Sequence, residues 1–224
     1  MPFPKTFDAY VPSNTMDLFG LAKIKPDYVP FETLRSVPLD PAHTTSLEYA
    51  KKITPPGGIS SLDPLLLFCP RDTPQWLSVG DAGGRLYHTC ILHDLGWTTT
   101  TEGMEHPAAG MTFELHGGIM AYEHLHAAAP ELDAQQVGDI VQSIVLHSSQ
   151  WPSGKSSATK TLISLSAFFD VCGYDAQGPR SMDFLINRKT VQEIEKEYPR
   201  GNFASELEEF LKVIHKEPLV PVNE

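Results

Sequence analysis

At 224 residues, the chain is long enough to fold as one domain with a buried pocket. Its 17 Lys and Arg against 28 Asp and Glu give a formal net charge of −11, which disfavours binding to nucleic-acid phosphates or anionic membrane surfaces. Its three scattered cysteines are too few for a disulfide framework or a paired-cysteine zinc site.

No run approaches the roughly 20 apolar residues of a membrane-spanning helix, and residues 1–14 lack the basic and apolar regions of a secretory signal. We therefore expect a protein of the cytoplasm or nucleus with no nucleic-acid or membrane partner. The sequence does not fix the oligomeric state, and a homo-oligomer is compatible with it.

The first part of the chain is rich in proline and aromatic residues. Residues 1–45 are expected to form an irregular arm around the core, with one short helix near residues 17–22. Residues 46–53 (SLEYAKKI) predict a helix that is capped by Thr45 or Ser46 and stopped by TPPGG. Proline and glycine interrupt every candidate helix in residues 58–84, although this segment contains the apolar stretch PLLLFC.

From residue 85 onward the hydrophobic periodicity is helical. The spacing of Thr190 and Glu193 predicts a capping box, and residues 205–214 predict an amphipathic helix. Strand alternation and internal repeats are absent. We therefore expect an all-α bundle in which an arm (1–45) precedes a helical domain (46–216) and a short tail (217–224).

The stretch LYHTCILHDLGWTTT, residues 86–100, places two adjacent polar residues at the end of an apolar helical run. His93 and Asp94 share a helix face with Leu86 and Cys90. A His-Asp dipeptide alone is unspecific, and a helix-end aspartate beside a hydrogen-bonded core histidine is one explanation of it. The other is a shared cation, which would satisfy both groups where they are buried.

Two further helices end their apolar faces with a polar residue. His147 lies at the edge of the stripe in residues 137–145, and Asp170 follows an apolar face at a spacing of four. An ordinary core histidine, and an aspartate paired with Arg180 or Lys189, are the structural alternatives. Convergence of the polar ends of three helices is nevertheless what a site within a helical bundle requires.

Other polar residues are weaker candidates. His116 precedes two glycines that permit close backbone approach, so it is a candidate for the pocket wall. Glu114 is either a buried hydrogen-bond partner or an acid in the first turn of a helix. His124 and His126 cannot share a helix face, and we expect both to be solvated.

Four segments, in order, carry a resemblance to a known family: HTCILHDLGWTT, MTFELHGGIMAYEHL, IVQSIVLHSSQW and ISLSAFFDVCG followed by INRKTVQEIEKEYPR. Over about residues 85–200 the chain resembles the HD-domain superfamily and, within it, the cyanamide hydratase family. The resemblance implies an HD-type helical bundle with a divalent metal, zinc in the hydratases, although iron or another divalent metal would suit similar ligands. It implies His93, Asp94 and Asp170 as metal ligands.

The resemblance also implies that His147 lies in the pocket as a proton shuttle, a substrate-orienting group or a second-metal ligand. The chain departs from the family where an early histidine ligand is expected, because no histidine occurs between His43 and His88. We hypothesise that residues 58–84 are a replaced or misread segment, such as an altered splice product or a frameshift, and that one ligand is lost with it.

The activity implied is that of a carbon–nitrogen hydro-lyase, a cyanamide hydratase-like enzyme that adds water to a small nitrile and forms urea. His147 and Asp94 are the implied catalytic residues, and Trp97, Phe113, His116 and Phe169 are candidates to line the substrate pocket. Two alternatives remain: an HD-type phosphohydrolase, which should have Lys or Arg near the pocket, and a catalytically degenerate binding protein that has lost its metal.

Overall fold

The structure is a computed structural model that describes residues 28–35, 41–54, 82–149, 157–175, 178–180, 183 and 187–199. Regular structure in these ranges is entirely helical, which confirms the predicted all-α fold class. The described helices, in chain order, are α1 (Phe31–Arg35), α2 (Pro41–Ile53), α3 (Ala82–Leu92), the 3₁₀ turn Leu95–Trp97, α4 (Thr101–Met104), α5 (Phe113–Ala128), α6 (Ala134–Leu146), α7 (Ala158–Cys172) and α8 (Arg188–Glu197).

The main core lies between α2, α3, α5 and α6. The predicted stripe on α6 is confirmed, because Val137, Ile140 and Ile144 are buried. They pack in one cluster with side chains of the other three helices, which include Ile53, Leu92, Met120 and Leu125. Each such side chain contributes roughly 1.5–3 kcal/mol on burial.

A buried ion pair joins α3 to α6. Nη1 of Arg85 donates to Oδ2 of Asp139 at 2.9 Å, and Thr159 of α7 donates to the same oxygen at 3.0 Å. The side chains of Arg85 and Asp139 are only 5% and 4% exposed. Buried charges require such partners, so this contact fixes three helices relative to one another.

The segment before α1 is attached to α8 through polar side chains. Thr190 donates to the carbonyl of Val29 at 2.8 Å and accepts from its amide at 3.1 Å. Glu193 accepts the amide hydrogen of Phe31 at 3.0 Å, and Phe31 packs against Ile194. The described part of the predicted arm therefore packs on a helix.

The capping box predicted for Thr190 and Glu193 is wrong. Asn187 is the N-cap of α8, and its side chain accepts from the amide of Lys189 at 3.0 Å. Thr190 and Glu193 lie inside the helix, where their side chains bind the neighbouring segment.

Helix α2 begins at Pro41, earlier than the predicted start at residue 46. Proline suits the first turn of a helix because an N–H group at that position would have no hydrogen-bond partner within the helix. Neither Thr45 nor Ser46 caps the helix, since Thr45 bonds to the carbonyl of Pro41 and Ser46 is buried. The predicted end at Ile53 is confirmed.

Several expectations fall on residues outside the described ranges: the short helix near 17–22, most of the irregular segment 58–84, the helix at 205–214 and the tail. No described helix is both long enough and apolar enough to cross a membrane.

Candidate metal centre

His93 and Asp94 directly follow α3 and begin the connection towards α5. The 3₁₀ turn after them packs closely on the first turn of α5: a Cβ on Gly96 would lie 1.9 Å from the carbonyl oxygen of Phe113. On the facing side, a Cβ on Gly117 would lie 2.9 Å from the amide nitrogen of Gly96. The absence of side chains at both glycines therefore lets the turn pack against α5 and holds the His-Asp pair at this junction.

His93 and His147 present the same ring nitrogen to the site. Nδ1 of His93 donates to the carbonyl of Cys90 at 2.8 Å, and Nδ1 of His147, the C-cap of α6, donates to the carbonyl of Ile144 at 2.6 Å. Because a carbonyl only accepts, Nδ1 of each ring carries a proton, which leaves Nε2 as the nitrogen that can bind a metal. Metal-binding histidines are held in this way by a bond to their second nitrogen.

Nε2 of each ring faces the carboxylate of Asp94. Nε2 of His93 lies 3.2 Å from Oδ2, and Nε2 of His147 lies 3.9 Å from Oδ1. One ligand atom from each of the three residues lies within 4.8 Å of the other two. Ligand atoms held at about 2.1 Å by a tetrahedral zinc ion are separated by roughly 3.4 Å. The His93–Asp94–His147 group can therefore hold a metal ion.

The electrostatics of the group favour a bound cation. Burial opposes ionisation of Asp94, but the charge and hydrogen bond of His93, together with the charge of His147, outweigh it, so the pKa of Asp94 lies below its ordinary value. Burial, and then the neighbouring His93, lower the pKa of His147. A neutral His147 beside an ionised Asp94 offers acceptors without the proton that would join them, and a cation would satisfy both.

The aromatic candidates form a contact chain that leads away from this group. The ring of Phe113 packs edge-on against His147 at a centroid distance of 5.6 Å, and Trp97 packs against Phe113 at 4.8 Å. Trp97 therefore contacts Phe113, which in turn contacts His147. Together these rings form an apolar wall beside the group.

His116 lies three residues after Phe113 on α5. Its ring stacks on His106 at 5.4 Å and hydrogen-bonds to the backbone of Gly103, while its Nε2 is buried without a hydrogen bond. Burial lowers the pKa of His116. The structure therefore gives His116 a contact with His106 rather than with the three potential ligands.

Phe169 and Asp170 lie near the C-terminal end of α7, and their side chains are outside the described part of the chain. The predicted ligand role of Asp170 and the predicted pocket role of Phe169 stay predictions. The structure thus brings together His93, Asp94 and His147 from the predicted set.

Sequence reasoning did not single out two contacts. Ser148 donates to Oε1 of Glu114 at 2.6 Å, which joins the residue after His147 to the first turn of α5. Ser46 of α2 lies between Nδ1 of His88, at 3.0 Å, and Nε2 of His124, at 3.1 Å. His124 is therefore half-buried rather than solvated, and no local pattern in the sequence indicates either contact.

Comparison with known proteins adds no relative: no family model and no curated protein matches the chain.

Proposed function

We propose that the chain is a metal-dependent hydratase that adds water to the nitrile of cyanamide and forms urea. The observation that carries this proposal is the convergence of three acceptor atoms, from His93, Asp94 and His147, at the junction of α3 and α6. The resemblance of residues 85–200 to the cyanamide hydratase family supplies the substrate.

A donor set of two imidazoles and one carboxylate fits zinc, and iron(II) has overlapping preferences. His93, Asp94 and His147 would hold the ion, and Asp170 is proposed as a further ligand on the resemblance alone. When bound, such a cation lowers the pKa of a water ligand towards 7 and polarises a nitrile.

The protein's own part in the reaction is proton transfer. As water adds to the nitrile carbon, a C–O bond forms and one C–N π bond breaks. The electron pair of that bond goes to the nitrile nitrogen, which must receive one water proton. We assign this transfer to Asp94, because its side chain is 25% exposed while those of His93 and His147 are each 5% exposed. The immediate product, isourea, tautomerises to urea.

The bonds made by His147 favour a ligand role over the proton-relay role. Its Nδ1–H is held by the carbonyl of Ile144, and its Nε2 faces Asp94. The wall of Phe113 and Trp97 beside it suits a small, uncharged substrate and limits the access of water.

A phosphohydrolase activity is less well supported. Such an enzyme needs a cationic side chain at the site to bind phosphate. Lys160 is buried, and its ammonium group donates to the carbonyl of Ser149 at 2.9 Å. Lys155, five residues before Lys160, lies outside the described residues.

The test is urea formation from cyanamide by the zinc-loaded protein. The wild type should form urea, and His93→Ala and His147→Ala should lose this activity. His126→Ala, at an exposed position on α5, is the matched control and should keep it. Absence of urea from the zinc-loaded wild type, or unchanged rates in both ligand variants, would contradict the proposal. Release of phosphate from a panel of nucleotides, without urea formation, would favour the phosphohydrolase.

A further inference from the structure

A second carboxylate lies beside the metal-binding group. Glu114 directly follows Phe113, whose ring contacts His147, and its Oε1 accepts from Ser148, the residue after His147. Glu114 is therefore bonded to the residue that follows His147, although it belongs to a different helix.

Two carboxylates lie at this site, and they oppose the positive charge of a bound metal ion. Asp94 faces Nε2 of His147, and Glu114 bonds to the adjacent Ser148. The ammonium group of Lys160 is bound to a backbone carbonyl. An anionic ligand is repelled by Glu114, whereas a neutral ligand with N–H groups meets an acceptor.

We propose that Glu114 is a specificity-determining residue, which accepts an N–H hydrogen bond from a small neutral ligand and disfavours linear anions of similar size. This inference rests on the proposed function, because it assigns a substrate class, neutral N–H donors, to the same site. Oε1 is taken by Ser148, and among the described residues no other side chain binds this carboxylate. Oε2 can therefore accept from a ligand.

The alternative is that Glu114 only ties α5 to the segment after α6. Two substitutions separate these roles. Glu114→Gln removes the charge but keeps a carbonyl oxygen that can accept from Ser148. Ser148→Ala removes the hydrogen bond to Glu114 but keeps the charge of the carboxylate.

The experiment is equilibrium dialysis of zinc-loaded protein against radiolabelled urea, a neutral N–H donor, and radiolabelled thiocyanate, a linear anion. Neither probe requires turnover. Hydrogen bonds to a charged acceptor are roughly twice as strong as neutral ones, so Glu114→Gln should weaken urea binding about tenfold. Loss of the repulsive charge should tighten thiocyanate binding about tenfold. Ser148→Ala should change either constant by less than about threefold, since the charge is retained.

Three results would overturn the inference: no binding of urea to the wild type, unchanged constants in Glu114→Gln, or equal effects of Glu114→Gln and Ser148→Ala. A parallel cyanamide assay distinguishes this failure from failure of the proposed function. If the wild type forms urea but Glu114→Gln binds both probes as the wild type does, only the proposed role of Glu114 is contradicted. If the probes bind with the expected selectivity but no urea is formed, only the proposed hydratase activity is contradicted.

Discussion

Arg85 on α3 pairs with Asp139 on α6. Arg85 lies eight residues before His93 and Asp139 eight residues before His147, and the rings of these two histidines are in contact. Eight residues of α-helix span about 12 Å. Because both separations are equal, α3 and α6 run side by side in the same direction, with the ion pair near their starts and the two histidines at their ends. The buried pair thereby sets the register that brings the histidines together.

Removing one partner of this ion pair should destabilise the protein strongly. Arg85→Met leaves Asp139 as an uncompensated buried charge, a change that costs about 3–5 kcal/mol in the free energy of unfolding. Urea denaturation measures it. The control is Glu102→Gln, which breaks the exposed pair with Lys52 and should cost less than about 1 kcal/mol.

The double variant Arg85→Met/Asp139→Leu should recover most of the loss, because no buried charge is left unpaired. A single variant that loses less than about 1 kcal/mol would show that the pair does not set the register.

Gly96→Ala should destabilise the turn that follows the His-Asp pair. The added Cβ would lie 1.9 Å from the backbone oxygen of Phe113, and backbone atoms cannot move aside as a flexible side chain can. Gly138→Ala on α6 is the matched control, because no atom lies within 4 Å of its Cβ. It should stabilise the protein by about 0.4–1 kcal/mol.

Thermal denaturation of both variants checks this prediction. A Gly96→Ala protein that melts with the wild type would contradict the close packing of the turn on α5.

Stability should fall as the pH falls below about 6.5, the ordinary pKa of histidine. Burial lowers the pKa of His124, so the unfolded chain takes up its proton at a higher pH than the folded chain does. The contribution of His124 to the free energy of unfolding is therefore complete above the unfolded pKa. It is lost between that pKa and the lower folded pKa.

Urea denaturation at several pH values between about 5 and 8 measures this slope. His124→Gln, whose amide can still bond to Ser46, should reduce it. His126→Gln, at the exposed position two residues later, should not. Equal slopes in the wild type and in His124→Gln would contradict the prediction.

Hydrophobic periodicity is sufficient to predict the all-α fold and the buried face of α6, because it depends on local spacing alone. It does not reveal which helices are neighbours. The pairing of Arg85 with Asp139 joins residues 54 positions apart. For the same reason, the sequence places His147 at the edge of a stripe, while only the structure turns its Nε2 towards Asp94.

Local motifs fail where their residues serve distant contacts. Thr190 and Glu193 have capping-box spacing, yet they bind a segment more than 160 positions away. His124 was expected to be solvated, but it bonds to Ser46 on a helix 78 positions away. In each case a tertiary contact supplies the partner.

The central claim is that His93, Asp94 and His147 hold a divalent metal. The most direct measurement is the zinc content of dialysed protein after equilibration with a slight excess of zinc, for wild type, His93→Ala, His147→Ala and the control His126→Ala. Asp170→Asn, measured alongside, tests the further ligand that the resemblance implies. We predict about one zinc per chain in the wild type and the control, and loss of zinc from both ligand variants. A wild type without zinc, or equal zinc in His147→Ala and the wild type, would contradict the account.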